Sequence, residues 1–165
     1  MEVDEMVKRL ALIGLLIVIA APAHAAEPIH TGYGPRVGFS SGPDQFVFGG
    51  QLIVGEIAPN ITFDPSLEFG FGDHATVITT NFDLHYHFDI SSSSWRPYAG
   101  AGVAINFVTF DSDTFGNKDS ETDVGGSLIG GASVPTKSGN RFFGELKLGL
   151  GDTADFKLMV GWNFK

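Results

Sequence analysis

Apolar and polar residues alternate with a period of two along most of this chain. In its final stretch Ala154, Phe156, Leu158, Val160, Trp162 and Phe164 share one parity, and Asp155, Lys157, Met159, Gly161 and Asn163 share the other. Successive side chains of a strand point to opposite faces, so the pattern predicts a strand with one apolar and one polar side. The same rule sets Ile61, Phe63, Pro65, Leu67, Phe69 and Phe71 against Thr62, Asp64, Ser66, Glu68, Gly70 and Gly72. It also sets Phe82, Leu84 and Tyr86 against Asn81, Asp83, His85 and His87, while Phe143 and Ile129 break it by falling on the polar parity. Eight strands are predicted, over 33–41, 45–57, 61–72, 75–90, 95–110, 121–134, 140–150 and 153–164. Turn-forming clusters such as Gly42-Pro43-Asp44, Ala58-Pro59-Asn60 and Thr136-Lys137-Ser138-Gly139 separate them. Only the connection from Asp111 to Ser120 is long. Evenly spaced strands without intervening helices imply an all-β fold with antiparallel neighbours.

Two closed architectures fit such strands. A soluble barrel turns its apolar parity inward; a membrane barrel turns it out to lipid and fills its interior with polar side chains. Eight strands enclose only enough space for side chains or one small ligand. The large Phe and Leu residues on nearly every strand would overfill that interior, whereas the polar parity is rich in glycine and carries both signs of charge. The expectation is therefore an eight-stranded antiparallel up-and-down transmembrane β-barrel. The alternative is a secreted ligand-binding barrel of lipocalin type, whose N-terminal Gly-x-Trp signal is missing. No open sheet edge is tolerated in lipid, so the first strand must close on the eighth.

Composition narrows the picture further. At 165 residues the chain reads as one domain, its net charge of −9 argues against a nucleic-acid partner, and the absence of cysteine removes disulfides and thiolate metal sites. Lys8 and Arg9 precede an apolar run from Leu10 to Ala21, followed by the small-x-small site Ala23-His24-Ala25. A spanning helix needs roughly 20 apolar residues, so this shorter run predicts a cleaved signal peptide over residues 1–25. The acidic stretch before Met6 is unusual for an export signal and makes Met6 an alternative start. Residues 26–32 then form a short periplasmic tether and 33–165 the barrel.

The last strand resembles the C-terminal strand of bacterial outer-membrane barrels, which ends in an aromatic read by the assembly machinery. Val160, Trp162 and Phe164 stand in the places of that signal, with Lys165 following. With the leader, the eight strands and the stretches Pro65–Asp73, Arg96–Gly102 and Gly161–Phe164, the chain resembles the outer-membrane β-barrel domain family, the small OmpX-like and OmpA-like barrels. The resemblance implies an outer-membrane location, both termini in the periplasm and no separate catalytic domain. It places the loop 111–120 and the turns near 42–44, 73–74 and 151–152 outside the cell, and the turns at 58–60, 91–94 and 135–139 in the periplasm. Membrane lipid, lipopolysaccharide and the outer-membrane assembly machinery are the expected partners of a monomeric barrel with a structural or surface-interaction role.

Candidate chemistry concentrates on the inner face, at Arg36, Asp64, Glu68, Asn81, Asp83, His85, His87, Arg96, Tyr98, Asp123, Glu145, Lys147, Asp155 and Lys157. In a narrow lumen an unpaired charge costs several kcal/mol, so mixed charges must pair, which predicts a plugged core and not a pore. Inward glycines at 100, 102, 125 and 131 would leave room for Arg96, Tyr98 and Phe143. Asp83, His85 and His87 lie on one face at steps of two and form a set that binds divalent metal in other contexts. Their ordinary role is a hydrogen-bonded lumenal network. A lipid-A-modifying enzyme is a further alternative, since acyl hydrolysis needs a serine, a histidine and an orienting acid. The His-x-Ser-Asn tetrapeptide of lipid A deacylases is absent, and no catalytic residue is assigned. In the long loop, Asp111, Asp113, Asn117 and Asp119 around Gly116 partly match a calcium loop, but Phe115 and Thr122 occupy ligand places. The expectation is a solvated acidic loop, with weak divalent-cation binding as the alternative and no other cofactor.

Overall fold

The computed structural model describes residues 31–72, 75–88, 90, 94–110 and 120–165. Eight strands run up and down: β1 (Gly32–Ser41), β2 (Gln45–Ile53, continuing as Gly55–Ala58), β3 (Ile61–Gly72), β4 (Ala75–His87), β5 (Arg96–Phe110), β6 (Ser120–Pro135), β7 (Arg141–Gly151) and β8 (Phe156–Asn163). Each pairs antiparallel with its neighbours in sequence. β1 also pairs with β8, from Ser41 opposite Phe156 to Arg36 opposite Gly161, which closes the barrel. A final bridge between Tyr33 and Phe164, with backbone bonds of 3.1 and 2.8 Å, completes the seam. The sheet is a closed eight-stranded antiparallel barrel of the expected fold class.

Exposure shows which parity faces in. Asp83 is 0 % exposed and Glu68 1 %, whereas Leu128, Leu148 and Phe39 are 51, 49 and 61 % exposed. The apolar parity forms the outer wall and the polar parity fills the lumen, the inverse of a soluble barrel. Aromatic pairs gather on the outer wall near both ends: Phe39 with Phe46 and Phe48 with Phe71 near the β1–β2 turn, Tyr33 with Phe164 and Phe142 with Trp162 at the end that carries the C-terminus. Phe143 and Ile129, the two exceptions to the alternation, are buried inside with Met159.

Two strand ends differ by three residues from those predicted, and one strand is interrupted. β2 is broken at Val54 because Leu52, Ile53 and Val54 oppose only Asp64 and Pro65 of β3, a one-residue bulge at a proline that has no N–H to donate. The ladder resumes where Val54 N–H donates to Phe63 O at 3.0 Å. β4 ends at His87 and not at Ile90, which leaves Leu84 three residues from its end. β8 begins at Phe156 and not at Thr153: Gly151 turns through a φ of 79°, Thr153 N–H folds back onto Gly151 O at 2.9 Å, and the alternation of Thr153–Asp155 belongs to a turn. The signal-peptide assignment and residues 26–30 of the proposed tether lie outside the described residues, while Gly32, expected in the tether, already belongs to β1.

Candidate functional site

Strand pleating aims one residue in two at the barrel axis, and eight strands bring those residues within reach of one another. Arg36, from β1, lies at the centre of the lumen. Its Nη2 donates to Glu145 Oε1 on β7 at 2.7 Å and its Nη1 to Gln51 Oε1 on β2 at 3.1 Å. Its Nε lies 3.2 Å from Glu68 Oε1 on β3, an ion pair without hydrogen-bond alignment. Lys157 of β8 donates to the other oxygen of Glu68 at 3.0 Å. Tyr98 of β5 donates its hydroxyl to Glu145 Oε2 at 2.9 Å, and Lys147 of β7 donates to Asp83 of β4. Each carboxylate meets at least one cation, as a low-dielectric interior requires.

The histidines divide between separate partners. His85 Nδ1 is 2.6 Å from Asp64 Oδ2, and its Nε2 lies 3.7 Å from Glu145 Oε2. His87 Nε2 meets Thr62 Oγ at 2.9 Å, and Thr62 itself donates to Asp64 Oδ2 at 3.1 Å. Asp83 turns to Lys147 instead, so Asp83, His85 and His87 do not converge on one point. Among the described residues no group of three or more His, Cys, Asp or Glu is arranged to hold a metal ion. Asp64, Glu68, Asp83 and Glu145 face Arg36, Lys147 and Lys157, and all seven are buried. His85 lies between two of these carboxylates, Asp64 and Glu145.

The network also seals the barrel. Arg36, Glu68, Asp83, Glu145, Lys147, Phe143 and Met159 are each no more than 3 % exposed. Above them, toward the β1–β2 and β7–β8 turns, the lumen widens into a cup of about 510 Å³ with Glu121, Asp123 and Asp152 on its walls and Lys157 among its lining residues. Below, half-buried His87, Arg96 and Arg141 occupy the opposite mouth, where Arg141 holds Ser133 through Nε–Oγ at 3.0 Å and Arg96 reaches Asn60 at 3.4 Å.

The inner-face assignments therefore sort into four groups. Arg36, Asp64, Glu68, His85, Tyr98, Glu145 and Lys157 form one connected core, which the Lys147–Asp83 pair joins through Lys147 Nζ, 4.0 Å from Glu145 Oε1. Asn81 is buried beside it but bonds to Ser66 Oγ. His87, Arg96 and Asp123 stand at the two mouths. Asp155 is the correction: its N–H bonds to Ser41 O and its C=O to Gly149 N, yet its exposed side chain stands at the open rim next to Gly42, outside the network. The inward glycines act more selectively than expected. A Cβ on Gly131 would strike the Tyr98 phenol, but Phe143 lies over Gly161, 2.6 Å from where that Cβ would be. The buried contributors Gln51, Thr62, Phe143 and Met159 all follow the inner parity. The metal candidates Asp111, Asp113, Asn117 and Asp119 lie outside the described residues.

No protein-family model and no curated protein sequence matches this chain. Its fold is similar to that of the N-terminal β-barrel domain of Pseudomonas aeruginosa OprF, with a TM-score of 0.60 at 21 % identity, over 81 % of this chain and 94 % of that one. It is also similar to Neisserial surface protein A, with a TM-score of 0.59 at 16 % identity, over 82 % of this chain and 94 % of that one. At such identities the likeness is one of fold. The chain shares the β-barrel fold of both.

Proposed function

We propose that the protein spans the outer membrane as a single closed barrel with an occluded lumen, serving a structural or surface-interaction role and not transport or catalysis. The continuous outer wall of Leu, Val and Phe supports the membrane assignment, because so much exposed apolar surface is stable only against lipid. Similarity to a barrel domain of OprF and to a Neisserial surface protein supports the same compartment. In this reading the termini and the turns at 58–60, 91–94 and 135–139 face the periplasm. The acidic cup and the loop 111–120 face outward, toward lipopolysaccharide. Export relies on cleavage after Ala25, and assembly on Val160, Trp162 and Phe164.

The sealed lumen carries the functional conclusion. Moving an ion along the axis would require opening the Arg36–Glu145 and Lys147–Asp83 contacts together and displacing Phe143 and Met159. Planar-bilayer recording on the refolded protein tests this: the expected result is no stable porin-like conductance. Large, steady, reproducible channels from pure protein would refute it. Heat-modifiability tests the membrane barrel separately, as an unboiled sample should run as a compact species in detergent and shift on boiling.

A further inference from the structure

Between the cup and the plug, one buried hydroxyl has no partner. Ser127 of β6 is 7 % exposed, and its Oγ makes no hydrogen bond. The strand register explains why. Its cross-strand neighbours are Gly102 on β5 and Gly149 on β7, and neither has a side chain to offer. Both positions exclude one: a Cβ on Gly102 would strike the Asp83 carboxylate, and a Cβ on Gly149 the carbonyl of Ala154. Ser127 instead lines a chamber of about 10 Å³ with Asn81, Lys147 and Lys157. Thr153, Ala154 and Lys157 border both this chamber and the cup above it. Lys147 and Lys157 stand directly opposite each other in the β7–β8 register, and their ammoniums diverge to Asp83 and Glu68. An ammonium carries three N–H donors. Beyond its bond to Asp83, Lys147 Nζ comes only within 4.0 Å of Glu145 Oε1, too far for a second.

We propose that this chamber binds one structural water, which accepts from Lys147 and Lys157, bonds to Ser127 Oγ, and so ties the Lys147–Asp83 pair to the Lys157–Glu68 pair. The size fits: a single water needs about 10–15 Å³ on this measure, and there is no space for a second. The chemistry fits as well, since an enclosed water makes about three hydrogen bonds and the chamber presents two ammoniums and an orphan hydroxyl, with the Asn81 amide beside them. Like charges directly opposite across a ladder repel, and a lone pair set between the two ammoniums offsets that repulsion. A small anion would answer the same donors. The four buried carboxylates around the plug already match or outnumber its cations, however, so a neutral occupant suits the charge balance. One water bonded on all sides is part of the plug and does not screen its charges as bulk solvent would.

Ser127→Val separates a bound water from a bare gap by the sign of its effect. Valine fills the chamber with methyl groups and suits a strand. If the chamber were a void, filling it would improve packing and raise stability. If it holds the water, valine displaces it and strands the lysine donors. The expected result is a urea midpoint about 0.5–1.5 M below wild type, the shift that a stranded buried donor produces at an ordinary urea slope. In the Lys147→Met/Asp83→Asn background one ammonium no longer needs an acceptor, and the same substitution should cost clearly less. A midpoint that is unchanged or raised by Ser127→Val overturns the proposal. An undiminished loss in the double-variant background also does, because it reports overpacking. Crystals of the wild type grown in sodium bromide cover a folding failure of the variant. Ordered density within about 3.2 Å of Ser127 Oγ, Lys147 Nζ and Lys157 Nζ, without anomalous signal, is the expected water. Bromide signal at that point assigns the chamber to an anion, and no density leaves it a void; either result refutes the water.

Discussion

Replacing Lys147 by methionine tests whether the lumen is a dry, charge-paired core. The substitution keeps the aliphatic stem and removes the ammonium that holds Asp83, a residue with no exposed surface. Asp83 would keep only the more distant Arg36, which is committed to Glu145 and Glu68. Removing one partner of a buried ion pair costs about 3–5 kcal/mol, because the remaining charge is neither solvated nor neutralised. With a urea slope of about 2 kcal/mol per molar, the unfolding midpoint should fall by roughly 2 M. The double variant Lys147→Met/Asp83→Asn removes both charges at nearly constant volume and should recover most of that loss. Equilibrium urea titrations in lipid vesicles, followed by tryptophan fluorescence and gel mobility, give both numbers. A single variant that loses less than about 1 kcal/mol, the range of solvent-exposed pairs, would mean that water screens Asp83 and that the lumen is not sealed.

Neighbouring glycines on β6 should respond oppositely to alanine. Gly131→Ala drives a methyl group into the Tyr98 phenol and Gly144 O and should cost about 1–3 kcal/mol, whereas outward Gly130→Ala should stay within about 0.5 kcal/mol in the same titration. Leu128→Arg, outward near the middle of β6, should cost about 2–4 kcal/mol and slow insertion into vesicles; an unaffected variant would mean the outer wall does not meet hydrocarbon. Truncation after Asn163 deletes both backbone bonds between Tyr33 and Phe164. It should lower the yield of heat-modifiable barrel in cells more than in detergent refolding, where no assembly machinery reads the last strand.

Much of the architecture is legible in one dimension because strand geometry has a period of two that no other element imitates. The alternation of Asp83, His85 and His87 with Leu84 and Tyr86 places each on its face before any coordinates are known. Glycine and proline clusters likewise mark the turns at 42–44, 58–60 and 136–139. Parity even identifies the solvent, since an eight-stranded interior cannot hold every Phe and Leu of the apolar set. What alternation cannot supply is the partner of each inward group, because lumenal contacts join strands up to 112 positions apart, as Gln51 and Asn163 show. Barrel closure and stagger decide that Lys147 meets Asp83, while the register of the β3–β4 and β7–β8 hairpins decides that His85 and His87 meet Asp64 and Thr62 and that Phe143 lies over Gly161. Strand ends are equally non-local: Asp155 keeps the parity of the last strand, but the Gly151 turn holds its side chain at the rim. The bulge opposite Pro65 depends on the register between β2 and β3, which alternation within either strand does not fix.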